Sequence, residues 1–202
     1  MNEYTFEQYD NARETRAWYE RFLYEHNGSD WQRKLQFSIA DLLTGNTPKA
    51  PNGEKTIISW YRIKYQGVLI GYADAKIHPI FNGRYVISDI WMIPRFRKQG
   101  HFHCSFPGLV KYTNAVGVCI VSAKYRLYGS WFESFGFEWV IACGTDPIQD
   151  STKSLLLVVT RDAYKDMVRF TIRHTGGFGN PCSERGRILL EEVQTELRNE
   201  NT

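Results

Sequence analysis

The sequence predicts an α/β domain with a mixed, mostly antiparallel central sheet, flanking helices and a helical extension at the C-terminus. Three observations predict it. Residues 56–93 are rich in β-branched and aromatic side chains and are cut by two tight-turn signals, Gln66-Gly67 and Asn82-Gly83. The strand ending at Ile93 breaks at Pro94 into a basic, glycine-containing turn, Arg95-Phe96-Arg97-Lys98-Gln99-Gly100. Beyond that turn the order changes, and short apolar strands alternate with helical segments.

Each element follows in order. Residues 5–26 approximate a helical period through Phe6, Tyr9, Ala17, Leu23 and Tyr24, and Asn27-Gly28 stops the helix with Gly28 as a left-handed cap. Asp30 caps a second helix carrying Leu35, Ile39, Leu42 and Leu43, which ends at Gly45, and residues 46–53 form a loop. Residues 56–65, 68–78 and 84–93 make a meander of three antiparallel strands. Alternation along the third puts Tyr85, Ile87, Asp89, Trp91 and Ile93 on one side and Val86, Ser88, Ile90 and Met92 on the other. A crossover helix occupies 101–115. Pro107 removes a hydrogen bond from any helix that already spans it, so the helix is expected to begin near residue 106. A buried strand (116–121), a helix (124–135) and two strands (137–142, 154–160) complete a domain over 1–160, the last two strands joined by a polar loop containing Pro147. The extension, 161–202, holds a helix over 161–172, a glycine-rich loop, and an amphipathic helix over 183–197 with Ser183 as its cap. It is expected to pack on the same domain.

The bulk numbers exclude several classes. A chain of 202 residues with 43% hydrophobic and 23% charged residues is a folded domain of ordinary size. Its net charge of +3 is spread among nearly as many acids as bases, without the concentrated basic face of a typical nucleic-acid binder. Aromatic content of 15% is high, and fits either an aromatic core or a stacking platform for bases. Cysteines 104, 119, 143 and 182 contain no Cys-x-x-Cys pair, so no metal site is expected. The N-terminus is polar and no apolar run approaches the ~20 residues that span a bilayer, which points to a cytoplasmic protein without a membrane partner. His101-Phe102-His103-Cys104 lacks a second ligand pair and is expected to hold packed or solvated side chains. Tyr125, Tyr128 and Trp131 share one helix face, expected to pack in the core. The Gly-Gly-x-Gly of residues 176–179 follows a helix rather than a strand, and so reads as a connector or lid and not a dinucleotide fingerprint.

The element order, together with Ile93-Pro94, Arg97-Lys98-Gln99-Gly100-His101-Phe102 and Trp131-Phe132-Glu133-Ser134-Phe135-Gly136-Phe137, resembles the GNAT family of N-acetyltransferases over residues 56–160. That family carries Arg/Gln-x-x-Gly-x-Gly/Ala at the turn, where it binds the pyrophosphate of acetyl-CoA. The physics is plain: amides entering a helix point at the anion, the dipole adds favourable potential, and a glycine lets the phosphate approach. The resemblance implies an acyl-CoA-dependent N-acyltransferase, with acetyl-CoA as co-substrate and direct attack by an amine in a ternary complex. It implies that Arg97, Lys98, Gln99, Gly100, His101 and Phe102 hold the pyrophosphate, and that backbone N–H groups at Met92 and Ile93 polarise the thioester. It makes Asp89 the candidate base on the third meander strand. Phe132 stands where the family often has its general-acid tyrosine, which leaves Tyr128 as the candidate acid. Phe102 replaces a Gly or Ala and is expected to crowd the pyrophosphate. These departures keep two alternatives in view: a catalytically degenerate binding protein of this fold, and a phage-type acyltransferase acting on a nucleic-acid base. The amine acceptor is unidentified, and the extension is expected to cover the acceptor groove or to form a homodimer contact.

Overall fold

The computed structural model describes residues 3–25, 57–77, 79–142, 155–176 and 184–200. The chain divides into two compact units, Met1–Pro79 with Arg84–Ala115, and Ile80–Gly83 with Val116–Thr202. The expected helix and loop of residues 30–53, with Gly28 and Gly45, lie outside the described residues, as do the Pro147 loop and Ser183.

In the first unit, β1 (Tyr4–Tyr9), β2 (Ile57–Tyr65), β3 (Val68–Ile77) and β4 (Tyr85–Met92) lie in that order, each antiparallel to its neighbour. The meander is as expected. The helix expected over 5–26 is not: its first residues are β1, paired with β2 from Tyr4↔Tyr65 to Tyr9↔Trp60. Aromatic and β-branched residues favour the extended form once a partner strand is beside them. The helix α1 (Ala12–Glu25) starts only after Asn11, whose Oδ1 accepts the Glu14 N–H at 3.0 Å. At the β2–β3 turn, Gln66 and Gly67 both have positive φ (48° and 80°), the geometry that lets a two-residue turn follow the strand twist.

The register shows why side-chain alternation fails in β4. Asp89 pairs with Asp74, but the next pair is Ile87 with Ala75, so Ser88 is an extra residue bulged out of the ladder. Tyr85 and Ile87, expected on the Asp89 side, therefore lie on the opposite face, with Ile90 and Met92. The Asp89 face carries Trp60, Tyr72, Asp74 and Trp91, and is covered by α1. There Trp18 stacks on Tyr72 (5.5 Å, 6°), meets Trp60 edge-on at 6.3 Å, and donates its indole N–H to Tyr9 Oη at 2.8 Å. Arg62 ties the same helix to the sheet through Glu14 (2.8 Å), and it also pairs with Glu7 of the neighbouring strand β1 (2.8 Å).

The other face receives α2 (His101–Thr113), which runs without interruption through Pro107, contrary to the expected start near 106. Pro107 and His103, the residue whose carbonyl loses its amide partner, are both exposed, so that carbonyl can be hydrated. Phe106 and Leu109 are 1% exposed and hold the helix down. Gly108 is where α2 crosses β1: a Cβ there would lie 2.8 Å from the Phe6 ring. Pro107→Ala restores one helix hydrogen bond on an exposed face and should raise stability by about 1–3 kcal/mol, read as a higher urea midpoint at unchanged slope.

In the second unit β5 (Ala115–Val121) leads into α3 (Ser122–Glu133). The strand β7 (Leu155–Val159) pairs antiparallel with both β5 and β6 (Trp139–Ala142). Phe132 and Phe137 are 3% and 0% exposed. The expected helices of the extension are α4 (Arg161–Thr175), capped by Thr160 Oγ1, and α5 (Glu184–Glu200). Ala163, Val168, Leu189 and Val193 are buried, and Lys165 (2.8 Å to Glu196), Arg161 and Arg173 form ion pairs between the two helices. Arg185 lies 4.3 Å over Trp139 and pairs with Glu138 at 2.6 Å, which ties α5 to β6.

Candidate active site

The end of β4 is built asymmetrically. The Ile93 N–H donates to Ile70 C=O at 2.9 Å and so belongs to the β3–β4 ladder. In an antiparallel pair the hydrogen-bonding direction alternates, which turns the N–H and C=O of Met92 away from β3. Of the two amides expected to polarise a thioester, Ile93 is thus committed to the sheet, and Met92 faces the other way.

After Ile93 the chain makes a 3-10 turn, Pro94–Phe96, and then passes through two left-handed residues, Lys98 (φ 61°) and Gly100 (φ 80°), before α2 begins. Cys104 N–H bonds to Gly100 C=O at 3.1 Å, so the amides of residues 101–103 form the first turn and point outward along the helix axis. A groove of about 370 Å3 lies here, lined among others by Met92, Arg97, Lys98, Gly100, His101 and Phe102. Ile93 and Gln99 do not line it. Among the described residues, a Cβ added at Gly100 would meet nothing within 4 Å.

The expected pyrophosphate residues divide by what they already hold. Arg97 folds back on β4, its Nε donating to Met92 C=O at 2.7 Å and its guanidinium 5.5 Å over Trp91. Gln99 Nε2 donates to Arg95 C=O at 2.8 Å. Lys98 is exposed. His101 Nδ1 lies 3.0 Å from Tyr4 Oη, with its ring 4.9 Å from Tyr65, so it fastens α2 to β1 and β2. Burial, and Cys104 nearby, hold the Tyr4 phenol above its ordinary pKa. Phe102 does not stand across the turn. Its ring leans along α2 onto Phe106 at 5.8 Å, an i,i+4 pair, and forms one wall of the groove.

Three residues upstream of Met92, Asp89 faces Asp74 across the sheet. Asp74 is 1% exposed, and its Oδ1 accepts the Asp89 N–H at 2.8 Å. Burial, with the neighbouring Asp74 charge, pushes Asp89 up from 3.8 to about 7, and Lys76 opposes the shift. Asp74 escaped notice in the sequence. Its signal is an aspartate between two alanines in a mostly apolar strand, Ala73-Asp74-Ala75. Tyr128 stands on α3 in the second unit and is 39% exposed, so the expected core packing of that face does not hold at Tyr128. Phe132 is a core residue, 3% exposed. Cys104 is exposed, and no group of three or more metal-ligating side chains occurs among the described residues. No helix among the described residues is long and apolar enough to cross a membrane.

No family model and no curated protein matches the chain. It is similar to a mutant of SpeG spermidine N-acetyltransferase from Vibrio cholerae (11% identity, 81% of this chain and 98% of that one, TM-score 0.48). It is similar also to the acetyltransferase from Salmonella typhimurium that modifies the N-terminal serine of a ribosomal protein (13%, 79% and 94%, TM-score 0.42). A third similar structure is PaiA N-acetyltransferase from Thermoplasma acidophilum in complex with coenzyme A (11%, 77% and 99%, TM-score 0.37).

Proposed function

We propose that this chain is an acyl-CoA-dependent N-acyltransferase that moves an acetyl group from acetyl-CoA to an amine. One observation supports this most: the groove that joins the outward-facing backbone of Met92 to the N-terminus of α2, with Asp89 upstream on the same strand. The first-turn amides of α2, the dipole behind them and the exposed Lys98 suit a pyrophosphate, and the open space beside Gly100 admits it. Arg97, held against Met92 C=O, braces the loop more than it reaches for the anion.

In this proposal the amine nitrogen bonds to the thioester carbonyl carbon and the carbon–sulfur bond breaks. Coenzyme A leaves as the thiol, and the proton lost from the amine goes to Asp89. Asp89 lies ~10 Å along the strand from Met92 at ~3.3 Å per residue, which leaves room for the amine and a relaying water. A carboxylate that titrates near 7 is matched to accepting a proton at neutral pH.

The test is ligand-dependent stability followed by turnover. Acetyl-CoA at a hundred times its Kd should stabilise the fold by about 2.7 kcal/mol, or roughly 5–10 °C in Tm for a chain of this size. Free thiol should then appear in the presence of an amine panel. Absence of any thermal shift at millimolar acetyl-CoA overturns the proposal and returns the chain to the degenerate-binding alternative.

A further inference from the structure

The mechanism above uses Asp89 and leaves a second carboxylate unexplained. Asp74 is almost fully buried, in the strand next to Asp89 and directly opposite it. Directly opposed residues of an antiparallel pair have Cβ atoms about 5 Å apart, so both carboxyl groups occupy one patch of the same face. The Ser88 bulge begins right after this pair, and Asp74 Oδ1 receives the Asp89 backbone N–H at 2.8 Å. A buried aspartate is costly to retain, and an apolar residue would fill the position at less cost if only sheet packing were required.

We propose that Asp74 is a positioning residue for Asp89: it pins the Asp89 backbone at the bulge and shares one proton with the Asp89 carboxyl, so that the facing pair carries a single negative charge. Two carboxylates this close cannot both ionise at their ordinary values, and the proton belongs to the pair. Asp74, which holds the Asp89 backbone N–H, raises the Asp89 carboxyl by its charge. Among the described residues the charges that face the pair are few. Lys76 follows Asp74 on the same face of β3 and favours ionisation. On β2 the residue opposite Asp74 is Trp60, and Arg62, two positions on, is paired with Glu14 of α1 and with Glu7 of β1. On β4 itself the same face carries Trp91 and, past the bulge, Val86, neither of which is charged. Among the described residues, burial, the Asp74 charge and Lys76 act on Asp89.

The role of Asp89 as base rests on the proposed acyl transfer, but the coupling of the two carboxyls does not, and the test separates them. Carboxyl carbon shifts of 13C-aspartate-labelled protein are followed against pH in the wild type, Asp74→Asn and Lys76→Gln. Asparagine keeps an oxygen for the Asp89 N–H and removes the charge. The expected result is a wild-type titration near neutrality that falls by about one pH unit or more in Asp74→Asn and rises in Lys76→Gln. The acid limb of the kcat/KM profile should move with it while KM for acetyl-CoA stays within about twofold. If Asp74→Asn folds poorly, the Lys76→Gln shift alone decides. A midpoint that neither substitution moves, or a wild-type midpoint in the ordinary carboxylate range, overturns the inference. A shifting midpoint in a protein that acylates nothing would sink the acyltransferase proposal and leave the carboxylate pair standing.

Discussion

If the proposed acyl transfer is correct, Asp89→Asn should lower its kcat/KM by about a hundredfold to ten-thousandfold, the usual contribution of a positioned base, and leave KM for acetyl-CoA nearly unchanged because none of the groove residues is touched. The same substitution alters stability in a direction set by its titration. The folded protein holds the Asp89 proton up to about pH 7, whereas the unfolded chain releases it near 3.8. Between those values the native state binds the extra proton, so stability falls as pH rises, with a slope of at most about 1.4 kcal/mol per unit. Asp89 is not wholly sealed from water, and a total loss of roughly 1–3 kcal/mol by pH 8 is the expected size after solvent screening. Glu14 and Glu196 act in the opposite sense: hydrogen bonds from Arg62 and from Lys165, respectively, hold them below 4.5, and their stabilisation is lost only as pH falls through that range. Among the described residues with a shifted carboxyl, the window from pH 5 to 7 therefore singles out Asp89. Urea midpoints taken across it should decline in the wild type and stay flat in Asp89→Asn. A wild type that gains stability from pH 5 to 7 contradicts the assignment.

The meander was legible because its signals are local. Strands alternate, and Gln66-Gly67 and Asn82-Gly83 leave few other ways to turn. The strand β1 was not legible, for a physical reason: Phe6 and Tyr9 fit a helical spacing as well as an extended one, and the choice is made by β2, some fifty residues away in the chain. Pro107 misled in the opposite way. Propensity marks it as a helix breaker, but Phe106 and Leu109 bury on the sheet side and the lost hydrogen bond faces solvent, so packing wins.

The site was half legible. Its turn announces itself through Pro94, Gly100 and a cluster of cations. The conduct of each side chain does not: Arg97 and His101 look alike as phosphate binders in the sequence, yet both are tied into the protein, one to Met92 C=O and one to Tyr4. The bulge at Ser88 leaves no trace, because a bulge is a property of two strands and not of one. Without it, alternation would have set Ile87 beside Asp89. With it, the Asp89 side of β4 continues into Val86, and Lys76 stands opposite. The carboxylate pair is therefore a consequence of register, and register is not read from a single strand.

Trp18→Ala should be the most destabilising single truncation in the first unit. Trp18 is 2% exposed, and its ring meets Trp60, Tyr72 and Trp91, so among the described residues it gives α1 its main aromatic contact with the sheet. Truncating a buried tryptophan costs about 3–5 kcal/mol, and here it also removes the indole N–H that donates to the buried Tyr9 hydroxyl. Against a total stability of about 5–15 kcal/mol this is a large fraction, expected as a fall of roughly 10 °C in Tm. Trp18→Phe keeps an aromatic ring in the cluster and loses the hydrogen bond, at a cost of about 1–2 kcal/mol, so the pair of variants separates packing from polarity. The effect should also reach the groove. Trp91 is both a member of this cluster and a wall of the groove, and the Arg97 guanidinium rests over its ring. With Trp18 gone, Trp91 loses its backing, and acetyl-CoA should bind several-fold more weakly to the folded fraction. Urea unfolding and calorimetric titration at 15 °C measure the two effects separately. A loss of less than about 1 kcal/mol in Trp18→Ala would mean that the aromatic cluster is not what fastens α1 to the sheet.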